Sequence, residues 1–312
     1  MAVVPPRLRV LYFGSTSRFS QLAFEQLAAS QEVVALVLPR PAKSGMRFAL
    51  RRVTGLHSAS LLERLARARG IPVIFASGDL TGRIGERLRV LHPDLICIAL
   101  FPRLLPRELT ALAPLGAINV HPSLLPRHRG PLPLFWTYQS DDRVTGVTVH
   151  HASERFDAGD VILQEALELS RGYPVADLDR DLAERAAPLL RAAVELLAQG
   201  RSQRIAQDES AATHAPLVKT GAPMVAFDAW DVERVWHFLA GLCPRYREPL
   251  ADDGGNDVSY DRVTGYRRDA SRMAPGSAVR RAGGWTLHCL NGVVGLEASM
   301  GSQPGNGHRA RN

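Results

Sequence analysis

A chain of 312 residues exceeds the ~100–200 of an ordinary domain, so two domains are expected, each with its own core. With 46% hydrophobic and 22% charged residues the composition is that of a globular protein, and no apolar run approaches the ~18 residues of a membrane span, so no membrane partner is expected. The formal net charge of +7 rests on arginine and is compatible with nucleic-acid contact or with a solvated surface.

Residues 1–7 (MAVVPPR) have neither the basic start nor the long apolar centre of a secretory signal, which predicts a cytoplasmic protein. Cys97, Cys243 and Cys289 are odd in number, far apart and without a CxxC pair, so reduced thiols are expected and no metal site. Residues 7–13 (RLRVLYF) read as a strand, 15–17 as a polar turn and 20–28 as an amphipathic helix. The alternation repeats with a strand at 32–38, a helix at 58–69, a strand at 72–75, a helix at 82–91 and the wholly apolar 95–100. That order predicts an α/β domain, a mostly parallel sheet with helices on both faces. Gly14 stands alone after the first strand, without GxGxxG spacing, which argues against a nicotinamide cofactor. The basic stretch 40–52 (RPAKSGMRFALRR) reads either as a loop beside an anionic ligand or as solvated surface.

Residues 175–197 have helical spacing and end near Gly200, and 201–219 read as a linker. A helix at 231–242 follows, then short β-like pieces at 276–281, 285–290 and 293–296, which suit a small β-barrel. Trp230, Trp236 and Phe238 form either a partner-binding stripe or core. The expected division is therefore a first domain over 1–203, a second over 204–300 and a disordered tail over 301–312.

Chemistry concentrates in two blocks. Residues 116–122 (GAINVHP) form a strand halted by proline, and positions two apart on a strand share a face, so Asn119 and His121 point together. In an open parallel sheet ligands gather at the carboxyl ends of strands, where this pair would lie. Some thirty residues later Asp157 sits in the turn of ERFDAGD, where a carboxylate can bond and orient an imidazole. Each feature alone is as readily structural as catalytic.

Together INVHPSLLPRHRG and GVTVHHASERFDAGDVILQE closely resemble the folate-dependent formyltransferase family, more weakly over residues 7–200. The resemblance implies a Rossmann-like first domain, an OB-like second one and 10-formyltetrahydrofolate as formyl donor, with no metal. It implies that Asn119, His121 and Asp157 are catalytic: Asn119 and His121 as donors to the developing oxyanion, Asp157 holding His121 and assisting removal of the amine's proton. It also places the pterin ring against Phe101, Arg103, Leu104 and Leu105 and against the 152–157 turn with Phe156, with Ser123, Leu124, Leu125 and Pro126 nearby. For Leu104 and Leu105 plain core is the competing reading.

Members of this family formylate methionyl-tRNA, glycinamide ribonucleotide or amino sugars, and a related group hydrolyses the donor. The second domain and SLLPRHRG favour methionyl-tRNA, initiator tRNA included. Three departures favour an amino sugar or another small amine: FGSTS after the first strand, a basic loop at 40–52 in place of RP-x-GRG-x-K, and Gly130 followed by PLPLFW. A folate-binding protein without turnover is a third reading, and the complete trio argues against it.

Overall fold

The computed structural model describes residues 7–40, 59–269 and 273–299. Most of the basic stretch and the whole expected tail lie outside the described residues. The described residues form two compact units: those within 1–133, 144–167 and 179–216 make the first, and those within 134–143, 168–178 and 217–312 the second. The expected boundary at 203/204 falls inside the first unit, which continues to Pro216.

In the first unit β1 (Arg9–Gly14), β2 (Glu32–Pro39), β3 (Val73–Ala76), β4 (Leu95–Ala99), β5 (Ala117–His121), β6 (Val144–His151) and β7 (Val161–Glu168) form one sheet in the order β3-β2-β1-β4-β5-β6-β7. The pairs from β3 to β5 are parallel, and β6 runs antiparallel to β5. Both faces of β1 are covered, which is why it reads as a continuous apolar run. Tyr12 meets Phe24 of α1 (Arg18–Ser30) edge-on at 5.5 Å. Leu11 and Phe13, on the other face, share a core with Leu88 of α3 (Arg83–Arg89) and Leu109 of α4 (Arg107–Thr110). Between α1 and α3 in sequence lies α2 (Leu61–Ala68), and serine oxygens cap α1 and α2, Ser17 accepting from the Ser20 amide and Ser60 from the Glu63 amide. The predicted strand at 95–100 is β4, buried throughout.

The second unit takes in α5 (Pro133–Gln139) from residue 134 onward, because Phe135 joins an aromatic cluster there. It lies 5.6 Å from Phe238 and 5.1 Å from Tyr246, and Trp230 packs 5.6 Å from Phe238. Phe238 belongs to α7 (Val232–Leu242), which follows α6 (Val175–Ala198) in the chain. Trp230 and Phe238 are core, and Trp236 packs on Gly172 and Tyr266. An antiparallel sheet, β8 (Tyr260–Arg268), β11 (Gly292–Ala298), β10 (Gly284–Cys289) and β9 (Ala278–Arg281), stands where barrel strands were expected. The α7 helix packs on β8 and β11. Cys97, Cys243 and Cys289 are free thiols. Among the described residues no helix is long and apolar enough to cross a membrane.

Candidate active site

The β5–β6 pairing builds the site. Its register sets Asn119 opposite His150 and His121 opposite Thr148, so a second histidine joins the face that Asn119 and His121 share. The chain leaves β6, turns through 152–160 and brings Asp157 back, with its backbone at φ 53°. Asp157 Oδ1 accepts from Asn119 Nδ2 at 3.0 Å and Oδ2 accepts from the Gly130 amide at 2.9 Å. His121 Nδ1 lies 3.6 Å from Oδ2, and His150 Nε2 lies 3.6 Å from Oδ1. Asn119, His121 and Asp157 therefore converge.

Hydrogen bonds to carbonyls fix both imidazoles, because a carbonyl only accepts. His121 Nε2 donates to the His128 carbonyl at 2.9 Å, which leaves Nδ1 of the neutral ring as a lone pair facing Asp157 and no free N–H for an oxyanion, so the geometry does not support the donor role expected of His121. His150 Nδ1 donates to the His151 carbonyl at 2.8 Å, and its Nε2 accepts from Asn119 Nδ2 at 3.2 Å. Both hydrogens of the Asn119 amide are thus engaged, and its buried Oδ1 has no hydrogen-bond partner among the described residues.

Burial lowers the pKa of His121 below the usual histidine value, against the opposing pull of Asp157 and of the His128 carbonyl, so the ring is neutral at pH 7. Burial works against ionisation of Asp157, but the adjacent His121, contacts from His150 and the Gly130 amide outweigh it and hold the carboxyl well below the ordinary carboxylate range. The result is an ionised carboxylate beside a basic ring nitrogen. Such a pair accepts a proton and stabilises it.

The residues expected to hold folate divide into two groups. Leu105 lines a cavity of about 160 Å³ with Arg107, Thr110, Ala152, Ser153 and Glu154, so the loop after β4 and the start of the Asp157 turn do face one space. Leu104 and Phe156 are exposed. Phe101 packs edge-on against Phe13 at 5.2 Å, and Arg103 donates to the Gly78 carbonyl at 2.6 Å. Ser123 Oγ donates to the Arg127 carbonyl, the Leu125 amide donates to Thr148 Oγ1, Leu124 lies against Gly146, and the Pro126 carbonyl accepts from the Thr213 amide. Ser123 to Pro126 thus shape the loop beneath the trio through their own contacts.

Sequence reasoning did not single out His150 or Gly130, which contact Asn119 and Asp157, or Arg107, which lines the cavity. The doubled histidine at the end of β6 was a signal for His150, but only the strand register tells which of the two faces Asn119.

Residues 7–194 match the family described as formyl transferase. The chain is 34% identical to the methionyl-tRNA formyltransferase of Anaeromyxobacter sp. over 76% of its own length and 73% of that protein's, and 32% identical to that of Moorella thermoacetica over 76% and 74%. The chain belongs to the formyl transferase family. Among solved structures, the N-formyltransferase from Helicobacter canadensis in complex with folinic acid and dTDP-3-aminofucose aligns over 93% of this chain and 99% of its own, with a TM-score of 0.68 and 14% identity. HypX from Aquifex aeolicus in complex with tetrahydrofolic acid aligns over 93% of this chain and 44% of its own, with a TM-score of 0.60 and 20% identity. Both likenesses show that this formyl transferase shares their fold. The family match contains all of Asn119, His121, His150 and Asp157 and ends before Gln207.

Proposed function

We propose that this formyl transferase carries a formyl group from 10-formyltetrahydrofolate to an amine, and that the amine is that of methionyl-tRNA. The observation that carries the chemistry is the Asp157 carboxylate shared between Asn119 and the Nδ1 side of His121. As the amine nitrogen bonds to the formyl carbon, negative charge develops on the formyl oxygen, and the bond to the folate nitrogen then breaks. The proton lost by the amine goes to the His121–Asp157 pair, and a proton returns to the departing nitrogen. Asn119 Nδ2, a neutral donor beside Asp157, would meet the formyl oxygen by releasing His150. The cavity beside Leu105 and Ala152 is smaller than the ~300–1,000 Å³ of pockets that enclose a whole ligand, which suits the pterin end alone.

The tRNA acceptor is favoured by relatives of that name at 32–34% identity over 76% of this chain. A second reading, an amino sugar, is favoured by the departure after Gly130 and by the full-length alignment with the Helicobacter canadensis enzyme. The reading carries with it a cytoplasmic setting, where charged tRNA is used.

The test is to incubate the protein with 10-formyltetrahydrofolate and methionyl-tRNA and follow tetrahydrofolate release. Formylmethionyl-tRNA should form, and Asn119→Ala or His121→Ala should lower turnover by roughly two to three orders of magnitude, as expected for loss of one preorganised group. Near-normal turnover in either variant would remove that residue from the mechanism. Affinity for the tRNA should fall steeply between ~50 and ~200 mM salt as phosphate contacts are screened, whereas a sugar nucleotide would respond far less.

A further inference from the structure

Residues 205–216, read from the sequence as linker, lie across both loops that carry the catalytic groups. Ile205 pairs with Val161 on the far side of the Asp157 turn. Thr213 then binds the loop after β5 at three points: its amide donates to the Pro126 carbonyl, its Oγ1 accepts from the His128 amide, and its carbonyl accepts from the Arg129 amide. The Ala215 amide donates to the Arg129 carbonyl.

Gln207 lies at the centre of this strap. Its Nε2 donates to the carbonyls of Asp157 at 2.9 Å and Gly159 at 2.7 Å. Its Oε1 accepts from Nε and Nη2 of Arg129 at 3.0 and 2.8 Å. Both hydrogens and both lone pairs of the amide are used, a combination that only a carboxamide supplies. Arg129, buried and also paired with Glu209, cannot follow Gln207 away, and the residue after it, Gly130, donates its amide to Asp157 Oδ2. One side chain therefore ties the backbone of the catalytic turn to the loop that holds the catalytic carboxylate.

We propose that Gln207 is a positioning residue: it holds the left-handed Asp157 turn in the one arrangement that aims the carboxylate at Nδ1 of His121. This rests on the role given above to Asp157. Glutamate at 207 keeps the volume and the Arg129 pairing but turns an oxygen onto two carbonyl oxygens; alanine removes both connections.

The test compares the full chain with its Gln207→Ala and Gln207→Glu variants, and Gln207→Glu serves should alanine at 207 fail to fold. The titration of His121 is followed by NMR of ring-labelled histidines, its signal assigned by loss in His121→Asn, alongside kcat and KM. Asp157, His150 and His128 are the titratable groups that face the His121 ring, and of these only the carboxylate raises its pKa. Release of the turn should move the His121 titration to lower pH in both variants. It should also lower kcat by roughly ten- to a hundredfold, the scale of a misplacement near 1 Å, with a smaller change in KM for the formyl donor. An unchanged His121 titration and kcat, even with a lowered Tm, would overturn the proposal and leave Gln207 a purely structural residue. A wild-type protein that formylates no amine, with the His121 titration still moved in both variants, would uphold the positioning and overturn the transferase reading.

Discussion

Asp157 meets opposed demands: burial favours its neutral form, while His121, His150 and the Gly130 amide favour its charge and prevail. The charge in turn supports protonation of His121, whose pKa burial lowers. The proposed base, His121, is therefore deprotonated at neutral pH and stays so below the ordinary histidine value. Turnover should hold as pH falls through ~6.5 and decline only lower. Asp157→Asn removes the one group here that raises the His121 pKa as a charge, so the acid limb of a kcat profile should move to lower pH while the plateau drops. A limb that moved upward would contradict this electrostatic order. That Asn119, His121 and Asp157 belong together was legible because two long motif blocks contain them. His150 and Gln207 were not: one depends on which residue of β6 faces Asn119, the other on contacts about fifty positions apart.

Among elements, the run from β6 through the turn into β7 is the most tightly constrained. A Cβ on Gly159 would stand 1.9 Å from the His151 carbonyl oxygen, and neither backbone can give way without moving Asp157 two residues earlier. Gly159→Ala should cost about 1–3 kcal/mol by overpacking and lower activity more than this loss of stability explains, measured by denaturation alongside turnover at a temperature where both proteins are folded. The first five strands were readable from their apolar runs. By contrast β7 and β8 were not: β7 is apolar only at its start, and β8 (YDRVTGYRR) carries charges that hide its alternation. The helix α5 was not legible because its aromatic residues follow a proline-rich turn and Phe135 packs into an aromatic cluster built by residues about a hundred positions later.

At the scale of the molecule the two units differ in what pH does to them. In the second, burial, reinforced by the charges of Arg171 and Arg143, pushes His237 down to about 4. Its Nδ1 accepts from the Gly172 amide at 2.9 Å, which requires the unprotonated ring. Because the folded pKa lies below the unfolded value of ~6.5, His237 contributes fully above pH 6.5, and its contribution declines as pH falls toward 4, by at most ~1.4 kcal/mol per pH unit. Trp136, Trp230, Trp236 and Trp285 are all the tryptophans of the chain and all lie in the second unit, so their fluorescence follows that unit's unfolding. Urea midpoints by fluorescence should fall from pH 7 to pH 5 and vary less with pH in His237→Gln, which keeps an acceptor but cannot titrate.

The strap also determines where this chain can be divided. A fragment ending at residue 203 would keep Asn119, His121 and Asp157 and lose Gln207 and Glu209, stranding the Arg129 guanidinium in the interior without either acceptor. A fragment ending at 216 keeps them. For anyone grafting this candidate site onto another scaffold, the smallest portable piece runs past the end of the family match by some twenty residues, because the side chains that hold Arg129 and the Asp157 turn arrive after that match has ended.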